Sequence, residues 1–165
     1  MSGKGTPATL ATQAAHIVCT LHEYTHDPAA VSFGTEAADA LGVDAARVHK
    51  TLVAVVARGP RPELVVAVVP VDAQLDLKAL AEAVGAKRAE LAPRADAERA
   101  TGYVVGGISP LGQRRALTTV IDADATGFDT VYVSGGRRGL EIELAAADLA
   151  ALTNATFAPL AKRAR

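Results

Sequence analysis

Two apolar runs, Leu52–Ala57 and Leu64–Val69, flank Gly59-Pro60-Arg61-Pro62 and constrain the fold more than any other stretch. Both are rich in valine, whose branched Cβ suits a pleated strand better than a helix. Each is strand-sized, and proline and glycine supply the chemistry of a tight connection. Two such runs across a short turn predict a β-hairpin. Neither approaches the roughly 18 apolar residues of a membrane span. Met1–Gly5 contains no apolar stretch of the kind a secretory signal needs. With half of 165 residues apolar, a sizeable core and a single domain over residues 1–165 are expected, residues 1–5 being flexible. The lone cysteine, Cys19, excludes an internal disulfide and a thiolate metal cluster. These features predict a soluble, cytoplasmic protein.

Around the hairpin, helices and strands alternate irregularly. Thr6-Pro7 reads as N-cap and first residue of a helix to about Ala15. Cys19 to Tyr24 alternates as a short strand, and Thr25-His26-Asp27-Pro28 is a turn. Ala37–Leu41 is helical, capped by Ser32 or Thr35 and stopped by Gly42. Asp44–Arg47 forms a helical turn. Asp76 caps a helix over Leu77–Val84 that ends at Gly85. A short strand is expected at Lys87–Leu91 and a helix at Pro93–Ala100, stopped by Gly102. Strands follow at Leu117–Ile121, Thr130–Ser134 and Leu140–Leu144, then a helix at Ala145–Leu152 and a short tail. This order lacks the regular rhythm of a doubly wound sheet, so the class is α+β: a mixed sheet curled on itself with helices outside.

The net charge of −1 is not the footprint of a general nucleic-acid binder. Any such contact must be local. Two of four basic pairs, Arg114-Arg115 and Arg137-Arg138, follow glycine-rich loops. The first loop, Gly106-Gly107-Ile108-Ser109-Pro110-Leu111-Gly112, can present N–H groups to an anion or an ester carbonyl. It is also ordinary turn punctuation. Gly107 and Gly112 have only the glycine spacing of a P-loop; the lysine and the hydroxyl are missing. Gly107–Leu111 lacks the last glycine of a nucleophile elbow, and Pro110 removes the N–H that would follow Ser109. His16, His22, His26 and His49 are scattered, and most of them read as surface or turn residues. No metal site, cofactor or catalytic triad is expected. What remains is Lys50, which opens an apolar run between His49 and Thr51. A cation there can hold a phosphate, a carbonyl or a hydroxyl.

Taken together, Tyr24–Asp27, Ser32–Gly34, Val48–Leu52, Gln74–Lys78, Thr101–Gly112, Val131–Gly136, Arg138–Leu140 and Ile142–Leu144 resemble the YbaK/EbsC family of Cys-tRNA(Pro) deacylases. The matches run in order over nearly the whole chain. The resemblance implies a mixed barrel of about seven strands with surrounding helices, akin to the editing domain of prolyl-tRNA synthetases. It implies an enzyme that removes cysteine wrongly attached to tRNA(Pro), with Cys-tRNA(Cys) as a further substrate and prolyl-tRNA synthetase as a partner. Lys50 matches the family's essential lysine and Thr51 the hydroxyl beside it. Tyr24 and Phe33 match aromatic pocket residues. Gly106, Gly107, Ile108, Ser109 and Pro110 match the loop that holds the ester. Ser134, Gly135 and Gly136 match a second loop, and Glu141 stands where Escherichia-type members carry aspartate. Ser109 is either a pocket contact or a turn hydroxyl. In the family mechanism the substrate's own thiol attacks its ester, which accounts for the missing triad. Two other readings fit the chain: a deacylase for another mischarged tRNA such as Ala-tRNA(Pro), and a non-catalytic module binding tRNA or the synthetase.

Overall fold

The computed structural model describes residues 5–29 and 33–163, without the side chains of Phe33 and Gly34. Its centre is the expected hairpin. Strand β2 (His49–Ala57) pairs antiparallel with β3 (Glu63–Pro70), from His49 opposite Pro70 to Val56 opposite Glu63. The two strands are continuous in apolar residues because both of their faces are covered. Ala54, Val56, Val65, Ala67 and Val69 meet Leu80 and Leu160 on one side. Val66 and Val68 meet Ile121, Val133, Ile142 and Leu149 on the other.

The chain begins with α1 (Pro7–Ala14), where the Thr6 hydroxyl accepts the Thr9 N–H at 3.1 Å and proline occupies the first turn. Next come β1 (Cys19–Glu23), α2 (Phe33–Leu41) and a 3-10 turn at Ala45–Arg47. Helix α2 starts four residues earlier than the sequence predicts and takes in Thr35; Ser32, the other predicted cap, lies outside the described residues. After the hairpin, β4 (Gln74–Leu75) leads into α3 (Leu77–Val84), which Asp76 caps and Gly85 ends at φ 72°. Then follow β5 (Arg88–Leu91), α4 (Arg94–Thr101) and β6 (Thr118–Asp122). A 3-10 turn at Ala123–Gly127 precedes β7 (Val131–Ser134), β8 (Leu140–Leu144) and α5 (Ala146–Thr153). The predicted tail contains two more short strands, β9 (Thr156–Ala158) and β10 (Ala161–Lys162). They carry no periodic signal because they are only three and two residues long.

The fold is mixed α+β, as expected, but the sheet does not curl into one barrel of about seven strands. The described strands form three sheets: β5-β2-β3-β6-β9, β1-β8-β7 and β10-β4. The five-stranded sheet is mixed, with β6 parallel to β3 and β9 parallel to β6. The three-stranded sheet is antiparallel. One bridge, Val48 parallel to Tyr132, links the residue before β2 to β7; beyond it no ladder forms between the two strands among the described residues. Closure fails there because the β2–β7 edges carry residues that line a cavity instead of a ladder. Among the described residues no helix is long and apolar enough to cross a membrane.

Candidate functional site

The gap between β2 and β7 follows from how little of β2's second edge is paired. Strand β5 pairs only with Ala54–Ala57, and β7 is bridged only to Val48, the residue before β2. The stretch between them borders a cavity of about 460 Å3. Its walls include Lys50, Thr51 and Leu52 from β2, Ser134 from β7, Glu141 from β8, and Tyr24. Gly106 and Ile108 of the glycine loop close it, with Arg94 and Ala97 from α4. Of the predicted site residues, Lys50, Thr51, Tyr24, Gly106, Ile108, Ser134 and Glu141 therefore converge on one cavity. They span 118 positions in sequence, from Tyr24 to Glu141 counted inclusively. The Phe33 side chain lies outside the described residues. Gly107, Ser109, Pro110, Gly135 and Gly136 do not line the cavity.

Those five residues shape the loops instead. Ser109 is 0% exposed, and its hydroxyl accepts the Leu111 N–H at 3.2 Å, so it is a turn hydroxyl. The Gly107 N–H closes a turn onto the Val104 carbonyl at 2.9 Å. A Cβ on Gly107 would sit 2.9 Å from the Arg137 Cα, so the two glycine loops can touch only because this residue has none. Gly135 and Gly136 pack in the same way against Leu140 and Tyr103. The first loop is pinned throughout. The Ser134 hydroxyl donates to the Gly107 carbonyl at 3.1 Å, and Arg138 Nη2 to the Val105 carbonyl at 2.6 Å. The Tyr103 hydroxyl donates to the Leu111 carbonyl at 2.6 Å, and the Val105 N–H to Glu98 Oε2 at 2.8 Å. Arg138, half of a basic pair in the sequence, thus fastens one loop to the other.

This bracing sorts the donors. The N–H groups of Val105, Gly107 and Leu111 are used within the protein, and Pro110 has none. Those of Gly106 and Ile108 make no hydrogen bond among the described residues, and both residues line the cavity. They are the donors the loop offers to a bound carbonyl. Gly106 reaches this position at φ 96°, a conformation that favours glycine.

The electrostatics are those of a partly dry site. Burial holds the Lys50 ammonium below its ordinary value, although the charge of Asp72 opposes the shift. No ion pair or hydrogen bond of the Lys50 side chain forms among the described residues. Burial pushes the Glu141 carboxyl up to about 8. Tyr24, beside it, is pushed up to about 12, by burial first and by the Glu141 charge second. Alternation on β8 explains the position of Glu141: Leu140, Ile142 and Leu144 enter the core, so Glu141 and Glu143 take the other face. There Glu143 accepts from the Thr130 hydroxyl at 2.6 Å and pairs with His22 and Arg47.

Sequence reasoning gave His49 no role, but it is 2% exposed at the start of β2 and lines the cavity. Its signal was the apolar run that follows it directly. It also missed Arg94, Ala97 and Leu91, which border the cavity from segments with no motif.

The Glu141 shift has a consequence for stability. Its folded value, about 8, lies above its ordinary value of 4.5. Folding therefore favours the protonated carboxyl, and the stability this group retains at low pH is lost as pH rises from 4.5 through 8. The loss is on the order of a few kcal/mol. Glu141→Gln keeps the shape and removes the titration. Urea unfolding at pH 6 and pH 9 should show the parent losing stability across that interval and the variant losing much less. Equal losses would place the carboxyl in contact with water in the folded protein.

Comparison with known proteins gives the geometry its class. Residues 27–152 match the model of the aminoacyl-tRNA editing domain, and the chain belongs to that family. A protein of Enterococcus faecalis that bears the name Cys-tRNA(Pro)/Cys-tRNA(Cys) deacylase EbsC is 42% identical over 123 residues, which cover 74% of this chain and 73% of that protein. A crystal structure named for a trans-editing enzyme of prolyl-tRNA synthetase superposes with a TM-score of 0.81 at 26% identity, covering 98% and 99% of the two chains. A second crystal structure, of a hypothetical protein, gives 0.82 at 25% identity, covering 94% and 99%.

Proposed function

We propose that this protein is a trans-acting editing deacylase that clears cysteine from mischarged tRNA(Pro), with Cys-tRNA(Cys) as a second substrate. The convergence of Lys50, the Gly106 and Ile108 N–H groups and Glu141 on one cavity carries this reading. Relatives named for Cys-tRNA deacylation and for trans-editing support it.

The chemistry needs no nucleophile from the protein. The substrate thiol attacks its own ester carbonyl. A C–S bond forms, the C–O bond to the terminal ribose breaks, and the thiol proton ends on the ribose hydroxyl. The products are a cysteine thiolactone, which water opens, and free tRNA. The protein holds thiol and carbonyl in reacting geometry, a contribution of proximity. The Gly106 and Ile108 N–H groups hold the carbonyl oxygen as charge develops on it. Lys50 orients the ester and the ribose, and Tyr24 walls the amino acid in. Glu141, protonated near neutral pH, adds no negative charge against the oxyanion.

Selection by thiol chemistry predicts the substrate pattern. Cys-tRNA(Pro) should be deacylated at least about 100-fold faster than Ala-, Ser- or Pro-tRNA(Pro), because none of these carries a thiol that can close on the ester. The measurement is release of labelled amino acid with catalytic amounts of protein. Comparable rates on Ala-tRNA(Pro) would make the protein a water-using alanine editor. No turnover on any substrate would leave a tRNA-binding module. Discrimination between tRNA bodies is expected to come from prolyl-tRNA synthetase. The near-neutral chain gives weak, salt-sensitive affinity for free tRNA. Adding the synthetase should then raise the preference for tRNA(Pro) over tRNA(Cys).

A further inference from the structure

Thr51 holds a polar group that the fold does not use. It is 8% exposed, yet its Oγ1 has no hydrogen-bond partner among the described residues. A buried hydroxyl without a partner costs stability, so such groups are rare unless something outside the chain completes them. Two residues earlier on the same face of β2, His49 Nε2 is also buried and without a partner among the described residues. The other ring nitrogen, Nδ1, lies 3.1 Å from the Arg47 carbonyl and must be the one that carries hydrogen, so Nε2 is an acceptor. Burial holds this imidazole below its ordinary value, which keeps it neutral.

The main chain points the same way. The Val53 and Ala57 carbonyls accept from Ala92 and Lys87 on the β5 side, at 2.9 and 2.8 Å, whereas the Val48 carbonyl accepts from Val71 on the β3 side at 2.8 Å. Groups on a strand alternate between its two edges. Thr51 therefore turns its carbonyl to the β5 side, where β5 has already ended and the cavity begins. Beside the Lys50 ammonium, the β2 wall thus offers uncharged acceptors: the Thr51 hydroxyl, its carbonyl and His49 Nε2. The glycine-loop wall offers donors.

An aminoacyl ester has the complementary arrangement, with an ammonium donor and a carbonyl acceptor on adjacent atoms. We propose that Thr51 binds the α-ammonium of the substrate, with its hydroxyl and its carbonyl at the open edge of β2 as acceptors. The site then recognises an α-amino acid ester as such, and the side-chain thiol enters only through its reactivity. This inference rests on the deacylase reading above.

The test crosses Thr51→Val, which keeps the shape and deletes the hydroxyl, with removal of the substrate amine. The substrates are cysteinyl-tRNA(Pro) and its deamino analogue, 3-mercaptopropionyl-tRNA(Pro), which keeps the thiol and the ester. With the parent protein, kcat/KM for cysteinyl-tRNA should exceed that for the analogue by at least about 30-fold after subtraction of the spontaneous rates. Thr51→Val should lower kcat/KM for cysteinyl-tRNA about tenfold or more and leave the analogue unchanged. Thr51→Ser should restore most of the loss. The thermal midpoint of Thr51→Val should hold or rise, because the deleted hydroxyl has no partner to lose. Equal losses on both substrates, or none on cysteinyl-tRNA, would overturn the assignment, as would a parent that turns over both substrates alike. A parent inactive on cysteinyl-tRNA would instead overturn the deacylase reading, and this inference with it.

Discussion

Lys50→Ala should abolish cysteine release from Cys-tRNA(Pro) while the protein stays folded. Lys50 lines the cavity that also holds Gly106, Ile108 and Glu141. Its ammonium is partly desolvated and makes no ion pair or hydrogen bond among the described residues, so the folded protein gains little from it. A charge kept in that condition is a cost to the fold. Its value must lie in what it meets when substrate arrives. Removing one preorganised group that faces developing charge costs a factor of about 10² to 10³. Lys50 is expected in that range or beyond it, because in the proposed mechanism it also orients the ribose. The thermal midpoint should stay level or rise slightly. Lys50→Arg should not restore the rate, since a planar fork cannot occupy the place of a compact ammonium. The measurements are single-turnover deacylation and thermal unfolding on the same samples. Full activity in Lys50→Ala would remove the lysine from the mechanism. A large fall in the midpoint would make it a structural residue.

The largest effect on stability is expected at Gly112. This glycine ends the loop at φ 65°, in the left-handed region. A Cβ added there would press on the carbonyl of Pro7 and lie 3.0 Å from the Ala8 nitrogen, both main-chain atoms at the start of α1. Neither can swing aside as a side chain would. Left-handed φ in a residue with a Cβ costs about 1 kcal/mol or more. Overpacking against backbone adds about 1–3 kcal/mol. Gly112→Ala should therefore lose about 2–4 kcal/mol, which lowers the thermal midpoint of a chain this size by about 5–15 °C. Gly59→Ala is the control: a Cβ there meets nothing within 4 Å, and the midpoint should move by no more than a degree or two. Similar small shifts in both variants would mean that the loop is not seated on α1.

Much of the fold was legible because its signals are local. The valine runs of β2 and β3, the Asp76 cap and the Gly85 stop of α3, and the alternation of Leu140–Leu144 each declare themselves within a few residues. The strands β4, β9 and β10 did not, since two or three residues cannot show a period. His49 was passed over for a related reason. A polar residue at the mouth of an apolar strand looks like surface until the 3-10 turn before it and the β3 end beside it are seen to cover it.

The site was only half legible. Lys50, Thr51 and the glycine loop could be picked out along the chain, yet the division of labour within the loop could not. Which N–H groups remain free depends on Glu98, the Val104 carbonyl and the Ser109 hydroxyl taking up those of Val105, Gly107 and Leu111, while Tyr103, Ser134 and Arg138 hold the loop carbonyls from other segments. The sequence by itself determined the α+β class and the hairpin and singled out Lys50, Thr51 and the glycine loop, because side-chain size, branching and glycine content act over short range. Only the tertiary structure decided that the β-sheets stay separate and that β2 and β7 part after Val48 and Tyr132. It alone decided that the gap between them receives Lys50, Thr51 and Glu141. That parting depends on long-range packing, in which β3, β7 and β8 share one core while the other face of the hairpin meets a second, and no local pattern records it.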